Sequence, residues 1–163
     1  HSKLMAEDAC QYFASTFNFP VTVFRPVNIY GPNQNTDFLI PKIIKQAYDR
    51  SVSTIEVMDL RPKRDFLFID DLINAVLKSF NLKQFNTFNI GSGSSISVED
   101  IIKTVLTITG IQKSYSAPNL ERKNETWDVY VDISKIRNEL KWEPRIDFRK
   151  GIQRCIDEQF SVK

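Results

Sequence analysis

The sequence predicts a mixed α/β domain, and three observations lead to this fold class. Short β-branched or aromatic runs alternate with segments whose apolar residues recur every three or four positions, as strands alternate with amphipathic helices. The chain of 163 residues is 42% hydrophobic with only five glycines, so it can bury a core. Only three or four segments resemble convincing strands beside about six helices. We therefore expect a domain whose sheet is incomplete on its own.

The first third of the chain gives four elements and one loop. Apolar residues at helical spacing predict an amphipathic helix over residues 3–18. A β-branched and aromatic run predicts a buried strand at 21–24, and two prolines with a glycine predict a loop over 26–32. A second helix follows at 39–48, and a short strand at 54–58.

The rest of the chain carries clearer boundary signals. Asp70 and Asp71 stand where the N-cap of a following helix is expected. Ser97 with Asp100 predicts a capping box, and Gly110 predicts the end of that helix. The predicted elements are strands 66–69 and 85–90 and helices 72–80, 97–108, 134–140 and 148–160.

Composition excludes several classes of partner. The net charge of +2 arises from 22 basic and 20 acidic residues spread along the chain, so we expect no nucleic-acid partner. The longest apolar runs have four to six residues, too few to span a membrane. Cys10 and Cys155 each fall within a predicted helix, which is typical of buried thiols in a cytoplasmic protein. One histidine and two cysteines without ligand spacing predict no metal site.

Three motifs carry a resemblance to a known family. They are His1-Ser-Lys-Leu-Met-Ala-Glu7, Arg25-Pro-Val-Asn-Ile-Tyr-Gly-Pro32 and Arg64-Asp-Phe-Leu-Phe-Ile-Asp-Asp71. Together they resemble the second half of an extended short-chain dehydrogenase/reductase of the nucleotide-sugar epimerase/dehydratase kind, and the likeness covers nearly all of the chain. It implies the C-terminal strands of a Rossmann-type doubly wound parallel sheet plus a small mixed α/β substrate-binding subdomain. Residues 1–163 would then form the C-terminal part of such an enzyme, and the N-terminal dinucleotide-binding half would be absent.

Lys3 matches the catalytic lysine of that family. A lysine at a helix start is most often a solvated surface residue, but here the neighbouring motif residues match as well. The resemblance implies that Lys3 contacts the nicotinamide ribose and lowers the pKa of a tyrosine base. In the family this tyrosine lies four residues earlier, which corresponds to a position two residues before His1.

The segment after the first strand matches a loop beside nicotinamide and substrate. Its prolines and glycine could simply shape a turn, yet ligands of doubly wound sheets lie outside the carboxyl ends of strands. The resemblance implies that Pro26 and Val27 pass near the nicotinamide carboxamide and that Asn28 reaches the sugar or its phosphates. Tyr30 and Gly31 are interpreted as structural.

Further matches imply contacts with the nucleotide. Arg64 corresponds to an arginine that binds the diphosphate, a role suited to its planar fork. A less specific match at Leu39 and Ile40 corresponds to a segment over the base and diphosphate. Asn89 falls where the family strand approaches the nucleotide.

One family position departs from the pattern. Glu125 stands where the family commonly has an arginine for the nucleotide, and Arg122 could substitute from the same loop. The turn at Gly91-Ser-Gly93 is too short for a dinucleotide loop, because the sixth motif position is Ile96. We therefore expect no cradle here for the adenosine and pyrophosphate of NAD.

The resemblance implies an NAD(P)-dependent nucleotide-sugar epimerase or 4,6-dehydratase that works by hydride transfer at a sugar carbon bearing a hydroxyl group. Its partners would be NAD or NADP, a nucleotide-diphosphate sugar, and a second copy packed against the helix at 3–18. The chain alone is expected to be inactive. Two alternatives stay open: an NADPH-dependent nucleotide-sugar reductase, and a non-catalytic interaction or dimerisation fragment.

Overall fold

Six helices and nine short strands form the part of the chain that the computed structural model describes, residues 1–120, 123 and 125–160. The helices are α1 (Ser2–Phe17), α2 (Leu39–Tyr48), α3 (Ile69–Ser79), α4 (Val98–Thr109), α5 (Ser134–Leu140) and α6 (Phe148–Phe160). The strands are β1 (Thr22–Pro26), β2 (Asn28–Tyr30), β3 (Thr54–Glu56), β4 (Lys63–Arg64), β5 (Phe66–Phe68), β6 (Asn86–Ile90), β7 (Ile96–Ser97), β8 (Ser114–Ser116) and β9 (Asp128–Val129). This arrangement confirms the mixed α/β class.

The chain changes its pairing partner at Val27, between the end of β1 and the start of β2. Strand β1 runs parallel to β6, and the N–H of Val27 then donates to the carbonyl of Ile90 at 3.1 Å. The N–H of Asn28 donates instead to the carbonyl of Asp65 at 3.3 Å, and β2 pairs in parallel with β5. The loop predicted over residues 26–32 is therefore wrong at Asn28–Tyr30. The neighbouring strand satisfies this backbone despite the flanking prolines.

The remaining strands are short and mostly parallel. Strand β3 pairs in parallel with β8, while β4 lies between antiparallel β7 and parallel β9. Strands β4, β7 and β9 have only two residues each, so an alternating hydrophobic pattern could not reveal them.

Three helices have the bounds predicted from the sequence, and a fourth has the predicted caps. The bounds predicted for α2, α5 and α6 are confirmed. At the start of α4, the hydroxyl of Ser97 accepts from the N–H of Asp100 at 3.0 Å, and Gly110 ends the helix at φ 67°.

The predicted capping role of Asp70 and Asp71 is wrong, because α3 already begins at Ile69. Asp71 is 3% exposed, and its carboxylate accepts from the N–H groups of Arg145 and Ile146, both at 3.0 Å. Its carbonyl accepts from the indole of the buried Trp142 at 3.1 Å. Asp70 forms an ion pair with Arg154 at 2.6 Å, so both aspartates contact later segments of the chain rather than capping α3.

Two hydrophobic clusters lie on opposite sides of β5. Phe68 packs into a cluster with α2, α4 and α6, whereas Leu67 packs into a second cluster with β6, α3 and α5. Successive strand residues point to opposite faces, so this one short strand joins both cores. Tyr30 and Phe68, on neighbouring strands, meet edge to face in the first cluster with ring centroids 5.4 Å apart.

Helix α1 is much less buried than the other helices. Only Ala14 among its residues is buried, although the predicted helical span is confirmed. Cys155 in α6 is buried, and burial raises the pKa of its thiol to about 11, whereas Cys10 in α1 is only half-buried. No described helix is both long enough and apolar enough to cross a membrane.

The carboxylate of Asp65 joins three segments of the chain. Asp65 is 1% exposed and accepts from the N–H and hydroxyl of Ser92 at 2.8 and 2.7 Å. It also accepts from the N–H groups of Gly93 at 3.1 Å and Val131 at 3.4 Å. Its carbonyl receives the two hydrogen bonds donated by Asn28. A side chain at Gly91 would place Cβ 2.5 Å from this carboxylate, so the turn needs glycine there.

We predict that Asp65→Asn destabilises the fold by about 2 kcal/mol or more, because the amide cannot accept all these hydrogen bonds and leaves buried donors unpaired. Urea unfolding followed by circular dichroism measures the change. The exposed Asp8→Asn is the matched control and should stay within about 0.5 kcal/mol of the wild type. A similarly small loss for Asp65→Asn would contradict the role of this carboxylate.

Candidate functional site

The carboxyl ends of β1 and β6 lie side by side and form one edge of the sheet. Pro26 is paired with Ile90 in this parallel register, so Asn89 lies one residue before the end of its strand. Pro26, Asn28 and Asn89 are exposed, and Val27 is half-buried. The structure therefore brings together the residues predicted for the nicotinamide (Pro26 and Val27), for the sugar or its phosphates (Asn28) and for the nucleotide (Asn89).

Asn28 is fixed at this edge by its own side chain. Its amide Nδ2 donates to the carbonyl of Asp65 at 3.0 Å, in addition to the bond from its backbone N–H. Because both groups bond to one carbonyl, the side chain has a set orientation where β1 passes into β2. A positioned amide at the end of a strand can bind hydroxyl or phosphate oxygens.

An ion pair fastens α1 to the same edge. The carboxylate of Glu7 accepts from Nε of Arg25 at 2.9 Å and also from its Nη2. Arg25 directly precedes Pro26, and Glu7 lies four residues after Lys3, on the same face of the helix. The exposed Lys3 is therefore carried on the helix face that contacts β1. The hydrogen bonds from Arg25 hold the pKa of Glu7 below its usual value.

A cavity of about 290 Å³ lies beside Arg64, between the start of α2 and the segment 57–64. Leu39 lines it and is half-buried. Among the residues that the structure describes, its charged lining consists of Asp37, Lys42, Asp59, Arg64 and Glu125. Both signs of charge are present, with two cations against three carboxylates.

The guanidinium of Arg64 is engaged on two sides. Its Nη1 donates to the carbonyls of Lys63 and Thr126, both at 2.8 Å. Its Nη2 forms an ion pair with the carboxylate of Glu125, and the two side chains are 30% and 13% exposed. Strand β9 brings this acidic residue into place, since the N–H of Lys63 donates to the carbonyl of Trp127 at 2.7 Å.

A second cation stacks on the neighbouring indole. The guanidinium of Arg61 lies 4.6 Å from the ring centroid of Trp127, and it also donates to the carboxylate of Asp59 at 2.8 Å. Trp127 remains 42% exposed. The residue therefore presents an aromatic side chain to solvent close to Glu125 in the chain.

Two of the predicted site residues, Ile40 and Arg122, are not placed at the cavity or the strand edge by the described structure. Ile40 is 2% exposed and packs in the first hydrophobic cluster, so its side chain is a core residue and not a ligand contact. The first turn of α2 points Leu39 and Ile40 in different directions, which sequence spacing could have shown. Arg122 lies outside the described residues.

From the sequence, Asp65 and Lys42 had no role in the site, and Glu125 was only a departure from the family pattern. Asp65 accepts the hydrogen bond that orients Asn28, and Glu125 forms an ion pair with Arg64. Lys42 adds a second cation to the lining of the cavity. A signal existed for Asp65, because a carboxylate directly before a buried aromatic strand needs partners. Arg64 directly precedes Asp65 in the chain, so these two adjacent residues connect the cavity to the strand edge.

The chain is similar in sequence to known proteins. A family model described as GDP-mannose 4,6 dehydratase matches residues 1–155. The dTDP-D-glucose 4,6-dehydratase of Bos taurus is 28% identical over 168 residues, covering 96% of this chain and 45% of that protein. The chain spans about half the length of the curated relatives it matches.

Two crystal structures share its fold. One is UDP-glucose 4-epimerase from Thermotoga maritima with UDP-glucose, at 25% identity and TM-score 0.84, covering 98% of this chain and 52% of that one. The other is UDP-glucuronic acid 4-epimerase from Bacillus cereus with UDP-glucuronic acid and NAD, at 25% identity and TM-score 0.83, covering 99% and 52%. They confirm the predicted Rossmann-type fold class.

We predict that acid releases α1 from the strand edge. The folded-state pKa of Glu7 is lowered from 4.5, so its ion pair stabilises above that pH and is lost as pH falls through the lowered value. The thermal midpoint of Glu7→Gln should lie below that of the wild type near pH 7, and this gap should close on acidification. Melting curves at a series of pH values measure it, with the exposed Glu139→Gln as control. A gap independent of pH would contradict the assignment.

Proposed function

The chain belongs to the family that the GDP-mannose 4,6 dehydratase model describes, and we propose on this premise that it forms the substrate side of an NAD- or NADP-dependent nucleotide-sugar epimerase or 4,6-dehydratase. The observation that carries the proposal is the strand edge, where Asn28 and Asn89 are exposed beside the helix that bears Lys3. Relatives that share the fold bind UDP-glucose, or UDP-glucuronic acid and NAD. We further propose that residues 1–163 are the C-terminal part of the enzyme.

The residues at the edge suit the nicotinamide end of the cofactor. When bound, NAD or NADP takes up hydride from a sugar carbon and can return it. The exposed ammonium of Lys3 would donate to the ribose hydroxyls, and its charge would lower the pKa of a tyrosine base beside it. Pro26 and Val27 would flank the carboxamide. The turn at Gly91–Gly93 offers no phosphate loop, so other residues would hold the adenosine half.

The nucleotide sugar would bind across both regions, with its sugar at the strand edge and its diphosphate at the cavity. Asn28, held by Asp65, would bind the sugar hydroxyls or phosphate oxygens. Arg64 would bind the diphosphate, for which a planar guanidinium fork is suited. Leu39 would cover the base, and Asn89 would lie near the nucleotide; Arg122, outside the described residues, would assist in the same loop.

The outcome of the reaction depends on the fate of the keto-sugar. In an epimerase, hydride returns to the opposite face of the sugar, whereas in a 4,6-dehydratase water is lost first. An NADPH-dependent nucleotide-sugar reductase is the second candidate enzyme, and a non-catalytic interaction or dimerisation fragment is the alternative from a different class. The two thiols, unpaired in the structure, favour a cytoplasmic location.

The prediction that tests this function concerns Lys3. In the longer protein containing this chain, Lys3→Ala should lower kcat about 10²-fold, the usual loss when acid–base assistance is removed. Turnover of UDP-, dTDP- and GDP-sugars with saturating NAD or NADPH measures it, and the exposed Lys83→Ala is the control. Unchanged turnover would remove Lys3 from the mechanism, and absence of turnover by the wild type on every sugar would favour the non-catalytic alternative. The 163 residues alone should be inactive.

We also propose a homodimer through α1. Its apolar side chains are largely exposed, and the rings of Phe13 and Phe17 stack 5.6 Å apart on its surface. The exposed members are Leu4, Met5, Tyr12, Phe13 and Phe17. An exposed apolar surface of this size is typical of a protein–protein interface. In a two-fold dimer the same face of α1 on a second copy would bury it. Non-specific aggregation through the same face is the alternative.

We predict that Phe13→Glu dissociates the dimer, because it puts a charge into the buried centre of the helix pair. Sedimentation velocity at micromolar concentration should show a dimer for the wild type and a monomer for the variant. Phe80→Glu is the matched control, since Phe80 is an exposed phenylalanine at the end of α3, outside α1, and its substitution should leave the dimer intact. A wild-type monomer would refute the dimer, and polydisperse species would indicate aggregation.

A further inference from the structure

The cavity beside Arg64 already holds an anion, the carboxylate of Glu125. We propose that Glu125 is a tethered competitor for the phosphate-binding guanidinium, which the diphosphate of a nucleotide ligand must displace in order to bind. This inference rests on the proposed function, because it assigns Arg64 to the diphosphate. It adds a residue that sets the affinity of the cavity for its ligand and the ligand charge that the cavity accepts.

The geometry around Arg64 shows why displacement is needed. Its Nη1 is already bonded to the carbonyls of Lys63 and Thr126. Its Nη2 is the group that meets Glu125, whose side chain is only 13% exposed. A phosphate oxygen that approaches this side of the fork meets the carboxylate first. The two anions therefore compete for one donor group.

The charges around the cavity point the same way. Within the described part of the chain, its lining contains two cations, Lys42 and Arg64, and three carboxylates that include Glu125. Asp59 is already paired with Arg61 at 2.8 Å. With Glu125 in place, the charge of Arg64 is neutralised and the carboxylates outnumber the remaining cation Lys42, so like-charge repulsion opposes the entry of a diphosphate. Once Glu125 turns outward, Arg64 and Lys42 face the ligand together.

A competitor of this kind has a distinctive signature. Glu125 stabilises the unliganded protein through its ion pair, while it weakens the binding of an anionic ligand to the same arginine. Removing its charge should therefore lower stability and raise affinity at once. An ion pair that served the fold alone would lower stability without any gain in affinity.

The experiment is calorimetric titration of the purified protein with UDP, dTDP and GDP, each in turn. Glu125→Gln keeps the volume of the side chain and removes its charge, so the dissociation constant should fall about tenfold. Glu125→Ala should act in the same direction, which guards against an effect peculiar to glutamine. Glu143→Gln changes the net charge equally at an exposed position outside the cavity, and it should leave the constant unchanged.

A double-mutant cycle locates the effect on the arginine. In an Arg64→Gln background the gain from Glu125→Gln should vanish, because there is no guanidinium left to release. A gain that persists there would mean general charge repulsion and would overturn the proposal.

The two proposals fail in different ways. If the wild type binds a nucleoside diphosphate and Glu125→Gln binds it no more tightly, the competitor is refuted and the proposed function stands. If the wild type and both Glu125 variants bind none of the three, the nucleotide site itself is refuted, and the competitor with it. Binding that appears only in the variants supports both.

Discussion

The carboxylate of Asp65 is the interaction on which the arrangement of this chain depends. It lies between β4 and β5 and collects hydrogen bonds from the turn after β6 and from Val131 after β9. Its backbone carbonyl fixes Asn28, where β1 becomes β2. One buried acidic group thus sets the positions of segments that are far apart in the sequence. A hydrophobic side chain could fill the same space but could not pair these N–H groups.

The candidate site is built outward from that anchor. Arg64 precedes Asp65 in the chain and lines the cavity. Asn28 lies at the strand edge and donates to the carbonyl of Asp65. The ion pair of Arg25 with Glu7 then brings α1 to the same edge. The groups proposed for cofactor, sugar and diphosphate therefore depend on one buried carboxylate and its neighbours in the chain, and we expect a change there to affect all of them together.

Much of the fold could be predicted from the sequence, and the failures have physical reasons. The bounds of helices α2, α5 and α6 were predicted to the residue. Strand β2 was missed because its pairing with β5 is a tertiary contact that outweighs the local Pro and Gly signal. The sequence showed that Glu125 replaces a family arginine, but not that it meets Arg64. That contact depends on β4 and β9, two-residue strands without a pattern.

The two tryptophans sit in opposite environments, and this makes the protein its own optical probe. Trp142 is 1% exposed and bonded to the carbonyl of Asp71, so its emission should be blue-shifted and should report only global unfolding. Trp127 is 42% exposed under the guanidinium of Arg61, two residues beyond Glu125. Its fluorescence should respond to events at the cavity while the fold stays intact. A single emission spectrum thus separates ligand occupancy from denaturation without an added dye.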